Sequence, residues 1–407
     1  MGDGRTAISF FSGGGGLDIG LSQAGIDLAF GQDIEPDCVA TLEANGRHAM
    51  LGDIREMGPD EVLDDVGIAE GEAFLVCGGP PCQPFSTAGR RRGINDPRGS
   101  LFRDYLRMIE GIRPRFFIME NVKGLLSSKL TDGDGRPAEV DGMTTVLQVI
   151  LSEFSRLRYS TVYGLLDAVD FGVPQFRERF ILIGSRDNED VFLPMPTRFG
   201  THQSKGYRWA TLRDAISDLE GDPGECDVFS PARSRLLDMV PPGGNWRSLP
   251  EGLQEEAMGG AYRSGGGKVG FYRRLDYDQP SPTLVTSPVQ KSSMLCHPAV
   301  TRPLSVREYA RIQQFPDDWV FCGNTASKYR QIGNAVPVGL GRALGEMLVS
   351  VSDGSCTVKT KRRKAASLRG CSRWASARPS TPSTPTTTRP RWSGPSRSIW
   401  RSITAAS

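Results

Sequence analysis

Through its first 186 residues the chain alternates short apolar runs with stretches whose apolar positions recur at helical spacing. The runs are Ala7 to Phe11, Leu28 to Gln32, Ala73 to Cys77, Phe116 to Met119 and Phe180 to Gly184. Continuous apolar runs of this length are the mark of strands buried on both faces. Between them, Pro36 to Asn45 and Leu101 to Ile112 read as helices. The alternation predicts an α/β fold with a mostly parallel, doubly wound sheet. From about residue 187 the rhythm breaks into turn-rich segments such as "PPGGNW" and "MGGAYRSGGGKVG", which predicts a second, smaller and irregular domain over 187–300. Helical patterning resumes over 301–351, where Ser305 and Glu308 have the spacing of a capping box. Residues 352–407 turn to Ser, Thr, Pro and Arg without apolar periodicity, and a disordered basic tail is expected there.

Composition sharpens this division. A chain of 407 residues, 38% hydrophobic, can bury a sizeable core. Its net charge of +2 conceals an asymmetry: 12 of the 49 lysines and arginines lie beyond residue 351, against one of the 47 acids. The body is mildly acidic, so any contact it makes with nucleic acid depends on local basic patches. Eight cysteines include no CxxC pair and only three histidines accompany them. Neither a disulfide framework nor a metal site is implied. With no apolar run of 18 residues and no signal-like N-terminus, the expectation is a soluble cytoplasmic protein without a membrane segment.

Two strand ends carry candidate chemistry. In Gly78-Gly79-Pro80-Pro81-Cys82-Gln83-Pro84-Phe85-Ser86, the prolines force the chain out of the sheet and project a thiol from a strand's carboxyl end, where open α/β sheets bind ligands. Cys82 is therefore the candidate nucleophile. In Phe116-Phe117-Ile118-Met119-Glu120-Asn121-Val122, a buried strand runs into an acid whose partial desolvation raises its pKa. Thiol and acid together suit addition to an electron-poor ring carbon with protonation of a ring nitrogen. Near the N-terminus, Phe11-Ser12-Gly13-Gly14-Gly15-Gly16 lets the backbone approach a ligand closely. It lacks the GxGxxG and Lys-Ser/Thr signals, which favours a non-phosphate nucleoside. Asp33 at the second strand's end suits a ribose diol, and Asp53 an adenine amino group.

The ordered segments "GGPPCQPFS", "ENV", "GVPQFRERFILIG", "RPLSVREYARIQQFPDDW" and "YRQIGNAVP" make the chain resemble a bacterial cytosine-5 DNA methyltransferase of the restriction-modification type, from Phe10 to about Val349. The resemblance implies a Rossmann-like S-adenosyl-L-methionine-dependent sheet with a target-recognition domain, and a final helix, about Val338 to Val349, returning to the sheet. It implies a cofactor pocket with Phe11 and Ile34 against the adenine, Asp33 on the ribose and Asp53 on the base, completed by Gly13, Gly15, Gly16, Ile54, Pro81, Leu101 and Asn334. The family usually has glutamate where this chain has Asp33. The implied chemistry is addition of Cys82 to cytosine C6, with Glu120 on N3 and the exocyclic amine. Arg177 and Arg179, two apart on a strand, would share a face, Arg179 binding O2 and orienting Glu120.

The implied substrate is duplex DNA, with the target base flipped out. A basic loop after the nucleophile, with Ser86, Arg90, Arg91, Arg92 and Arg98, would close over it. Base-edge and phosphate contacts are expected from Arg208, Trp246, Arg247, Tyr262, Arg263, Lys268, Arg273 and Arg274. A monomer is expected, as is a cognate restriction endonuclease that shares the target site without binding the protein. Competing readings are a dinucleotide-dependent oxidoreductase, a silent DNA-binding protein of this fold, and the same chemistry on RNA.

Overall fold

The computed structural model describes residues 4–81, 100–130, 139, 141–200, 206–263 and 269–355. The candidate nucleophile Cys82, the loop residues Ser86, Arg90, Arg91, Arg92 and Arg98, Lys268, and the tail from 356 lie outside them. Seven strands, β1 (Thr6–Phe10), β2 (Asp27–Asp33), β3 (Ala49–Leu51), β4 (Leu75–Gly78), β5 (Phe116–Val122), β6 (Ser160–Asp167) and β7 (Glu178–Ser185), form one sheet in the order β3-β2-β1-β4-β5-β7-β6. All neighbours are parallel except β7, which runs antiparallel to both β5 and β6. The mostly parallel α/β sheet is thus present. The apolar runs miss both edge strands, β3 and the half-buried β6, and β7 begins two residues before its own run at Phe180.

The reversed strand sets the site. Because β7 starts at the edge where β5 ends, Val122 pairs with Arg179 and Glu120 with Ile181. Arg179 is two residues from Ile181 and shares its face, so it is the diagonal cross-strand neighbour of Glu120.

Alternate residues of the central strands feed two cores. Ile8, Phe10, Val76, Phe117 and Phe180 pack beneath α3 (Pro59–Val66), α4 (Ser100–Ile112) and α5 (Val146–Arg156). Ala7, Leu75, Cys77, Ile118 and Ile183 pack beneath α1 (Gly16–Gln23) and α11 (Val338–Ser352). The last two helices touch so closely that a Cβ on Gly20 would lie 2.3 Å from the Val338 carbonyl oxygen. Helix α2 (Pro36–Ala44) follows β2.

A third cluster joins α6 (Leu212–Ile216), α9 (Val306–Ile312) and α10 (Thr325–Asn334). The capping box of α9 is formed: the Ser305 N–H donates to Glu308 Oε2 at 2.7 Å, and the Glu308 N–H to Ser305 Oγ at 3.1 Å. A fourth cluster includes Phe229, Leu236, Trp246, Met258, Tyr272 and Cys296, with α7 (Pro231–Leu237) and α8 (Glu251–Met258). The chain between 187 and 226 packs elsewhere: Phe192 and Leu193 lie on the sheet core, and Leu212 and Ile216 on the third cluster. Among the described residues, no helix is long and apolar enough to cross a membrane.

Candidate active site

Where β4 ends, Gly78 is required by contact with backbone, and Gly79 lies against the end of the Glu120 side chain. A Cβ on Gly78 would lie 2.7 Å from the Phe10 carbonyl oxygen, and one on Gly79 would lie 2.9 Å from Glu120 Oε2. Asn121 Nδ2 donates to the Pro80 carbonyl at 3.0 Å, tying the loop that leads to Cys82 to the end of β5. The side chain of Glu120 is only 13% exposed, and Arg179 Nε donates to its Oε1 at 2.7 Å. Burial pushes the Glu120 carboxyl above its usual range, while the charges of Arg179 and Arg177 oppose that rise.

Arg177 is not on a strand, contrary to the alternation argument, because β7 begins at Glu178. Its N–H is held by Asp167 Oδ1 at 2.8 Å. The guanidinium is buried and spent on protein carbonyls, with Nη1 donating to Leu284 O at 3.0 Å and Nη2 to Gly333 O at 2.7 Å. Burial disfavours its charge and Glu120 favours it. Arg177 thus joins the entry of β7 to α10 and the 283–286 segment. Gln175, absent from the candidate residues, joins the same entry to the end of α9 and to Leu284: its Nε2 donates to Gln313 Oε1 at 2.9 Å, and its Oε1 accepts the Leu284 N–H at 2.7 Å. The signal for it was the polar residue closing "GVPQ". A cavity of about 340 Å³ lies between these elements, walled by Glu120, Arg177, Arg179, Thr283, Thr286, Gln290 and Asn334 among others.

A larger cavity, about 540 Å³, opens along the carboxyl ends of β1, β2 and β4. Of the candidate cofactor residues, Phe11, Gly13, Asp33, Ile34, Pro81 and Asn334 wall it. Phe11 has φ 57°, a left-handed conformation uncommon for a bulky residue. Its N–H meets Gln32 Oε1 at 3.3 Å, and Gln32 Nε2 donates to Gly52 O at 2.6 Å. Asp33 accepts the Gly13 N–H at 2.8 Å on Oδ2 and the Glu35 N–H at 2.9 Å on Oδ1. Burial raises its pKa while those backbone bonds lower it.

The remaining candidates sit outside the cavity walls. Asp53 is turned onto Arg55, whose Nε lies 2.9 Å from both its carboxylate oxygens. Ile54 is buried in the core beneath α4, and Leu101 packs at that core's edge. Gly15 precedes α1 with φ 84°, and Gly16 is required by packing, since a Cβ there would lie 2.3 Å from Val336 O. Walls absent from the candidates include Ser12, Asp18, Glu35, Ser327 and Arg330.

Residues 5–350 match the family of C-5 cytosine-specific DNA methylases. The chain belongs to this family. It is a DNA cytosine-5-methyltransferase. The methylase is 38% identical over 343 residues to the Type II methyltransferase M.Sau96I of Staphylococcus aureus, covering 83% of this chain and 74% of that one. It is 37% identical over 358 residues to M.Eco47II of Escherichia coli, covering 86% and 79%. The solved Dnmt2 methyltransferase of S. pombe shares its fold, with TM-score 0.53 at 19% identity over 85% of this chain and 98% of that one.

In the methylase's irregular region, several residues expected to touch DNA are otherwise engaged. Arg274 is buried: its Nε donates to Val240 O at 2.7 Å, and its Nη2 to Leu237 O at 2.7 Å and Thr301 Oγ1 at 2.6 Å. It is corrected from a DNA contact to a brace of the fold. Trp246 belongs to the fourth core, with the exposed Arg247 over its ring at 5.1 Å. Arg208 meets Asp214 through two 2.7 Å bonds, and Arg263 meets Glu255 at 2.8 Å.

Proposed function

We propose that the methylase transfers the methyl group of S-adenosyl-L-methionine to C5 of cytosine in a specific duplex DNA sequence, through a Cys82–C6 adduct on a flipped-out base, as the modification half of a restriction-modification system. The observation that carries this reading is that Glu120 and Asn334 wall both cavities. A ligand in the larger cavity and a base in the smaller one would therefore meet at a single acid.

The larger cavity suits the cofactor. Its volume falls within the usual range for small-molecule sites. Phe11, Ile34 and Pro81 offer apolar surface to a base, and Asp33, Ser12 and Asn334 offer polar groups to a ribose and an amino-acid arm. Bound there, S-adenosyl-L-methionine supplies an electrophilic methyl group on a sulfonium.

The protein's part is to make C5 nucleophilic. The Cys82 thiolate forms the S–C6 bond, and the displaced electron pair of the C5–C6 double bond passes into the ring as an enamine. Glu120, whose proton affinity is raised by burial, stabilises that charge by sharing a proton with N3. Arg179 holds the carboxyl in position and presents its remaining donors toward O2. Once the enamine's electron pair has formed the C5–methyl bond, loss of the C5 proton to solvent re-forms the C5–C6 double bond and expels the Cys82 thiolate. We assign catalysis and cofactor binding to residues 1–186 and 301–351, and target recognition to 187–300. The separate core around Trp246, drawn from residues between Phe229 and Cys296, supports the central part of that last assignment, while residues 187–226 pack against the other cores.

The test is transfer of tritium from labelled S-adenosyl-L-methionine to duplex DNA, with RNA in parallel. Label should enter DNA. DNA carrying 5-fluorocytosine at the target should form a denaturation-resistant adduct that is lost in Cys82→Ala. Label in RNA alone, or an adduct that persists in Cys82→Ala, overturns the reading.

A further inference from the structure

The charges lining the larger cavity are unbalanced. Among the described residues its walls carry four acids, Asp18, Asp33, Glu35 and Glu120, and one cation, Arg330. Three of the acids are already served within the protein: Asp18 accepts Ser9 Oγ at 2.7 Å, Asp33 accepts two backbone N–H groups, and Glu120 is paired with Arg179. Arg330 is exposed and has no hydrogen-bond or ion-pair partner among the described residues. It lies on α10 one turn before Asn334, so both side chains belong to the helix face that closes the cavity.

A cation held at the mouth of an acid-rich cleft calls for an anionic ligand group. This inference rests on the cofactor reading above. S-adenosyl-L-methionine has one anionic group, the α-carboxylate, and two cationic ones, the sulfonium and the α-amine. The acids suit the cationic groups, and among the described charged side chains of the wall Arg330 is the one that suits the anionic group. We propose that Arg330 is a cofactor-binding residue whose guanidinium takes the α-carboxylate. Guanidinium matches carboxylate as a planar fork, an arrangement lysine cannot copy.

Decarboxylated S-adenosylmethionine lacks that one group and provides the test by calorimetry, with no DNA present. Arg330→Ala should weaken S-adenosyl-L-methionine binding about tenfold, in the range for a hydrogen-bonded charge partly open to water, and change affinity for the decarboxylated compound less than about twofold. Arg330→Lys should recover part of the loss. Equal weakening of both ligands, or no weakening of either, overturns the proposal; no weakening together with reduced DNA affinity would assign Arg330 to a phosphate. If the unaltered protein binds neither nucleoside, the cofactor reading falls and this inference falls with it.

Discussion

Arg179 and Arg274 are both largely buried arginines, and the two regions use them in opposite ways. At the sheet edge, Arg179 meets a carboxylate that faces a cavity, so the pair is oriented toward something outside the protein. In the irregular region, Arg274 meets oxygens of its own chain, which has no regular ladder there to satisfy its carbonyls. The sheet can commit polar side chains to function because strand register already fixes the backbone. The irregular region must commit some of its strongest donors to holding itself together, and its exposed side chains are what remain for a partner.

Glu120→Gln is the largest break on the sheet side. The amide keeps the shape and can still hydrogen-bond, but it cannot share a proton. Single-turnover methylation should fall by about 10²–10⁴-fold, while calorimetric affinity for S-adenosyl-L-methionine and the midpoint of urea unfolding change little. An unchanged single-turnover rate would remove Glu120 from the chemistry and leave its pairing with Arg179 as structural.

The same contrast explains what the sequence could disclose. The positions of the central strands were legible from apolar runs, and with them Glu120, because a residue at a strand's carboxyl end has few places to go; the short or half-buried edge strands β3 and β6 were not. The antiparallel course of β7 was not legible, since an apolar run carries no direction, yet it is what sets Arg179 diagonal to Glu120. Arg177 escaped the period-two argument by lying one residue before the strand. Nor was the pairing of Asp53 legible with Arg55, two residues on, which meets both its carboxylate oxygens. In the irregular region no periodicity separates a structural arginine from a DNA-binding one: Arg273 and Arg274 are adjacent, and only three-dimensional packing marks Arg274 as a brace.

Arg274 gives the next largest effect. Arg274→Ala leaves the Val240 carbonyl and the Thr301 hydroxyl without this donor, the Leu237 carbonyl keeping only the Val240 N–H, and should cost about 3 kcal/mol of stability. Arg247→Ala, at an exposed side chain over Trp246, should cost about 0.5 kcal/mol and show its effect in DNA affinity. Equilibrium urea unfolding of both variants checks the pair. Equal destabilisation would mean that the region does not divide its arginines in this way.

A pH-dependent effect sharpens the comparison from the sheet side, where a buried acid is tolerated at a cost. Asp18 is buried in α1 with its Oδ1 on Ser9 Oγ, and burial pushes its pKa up to about 6. The unfolded value lies near 3.9. Below about pH 4 both states are protonated, and the acid costs nothing. Between about pH 4 and 6 the unfolded chain releases its proton first, so stability falls as pH rises. Above about pH 6 both states are ionised and the full cost applies, on the order of 3 kcal/mol at most. Asp18→Asn keeps the oxygen that accepts from Ser9 and removes this dependence. It should therefore be more stable than the unaltered protein at pH 8, with the difference closing as pH falls to about 4. Asp167, also pushed up to about 6 by burial, should leave part of the slope in both proteins. Urea unfolding at pH 4, 6 and 8 reads the difference directly, and stability curves that stay parallel across that range would mean that Asp18 titrates alike in the folded and unfolded chain.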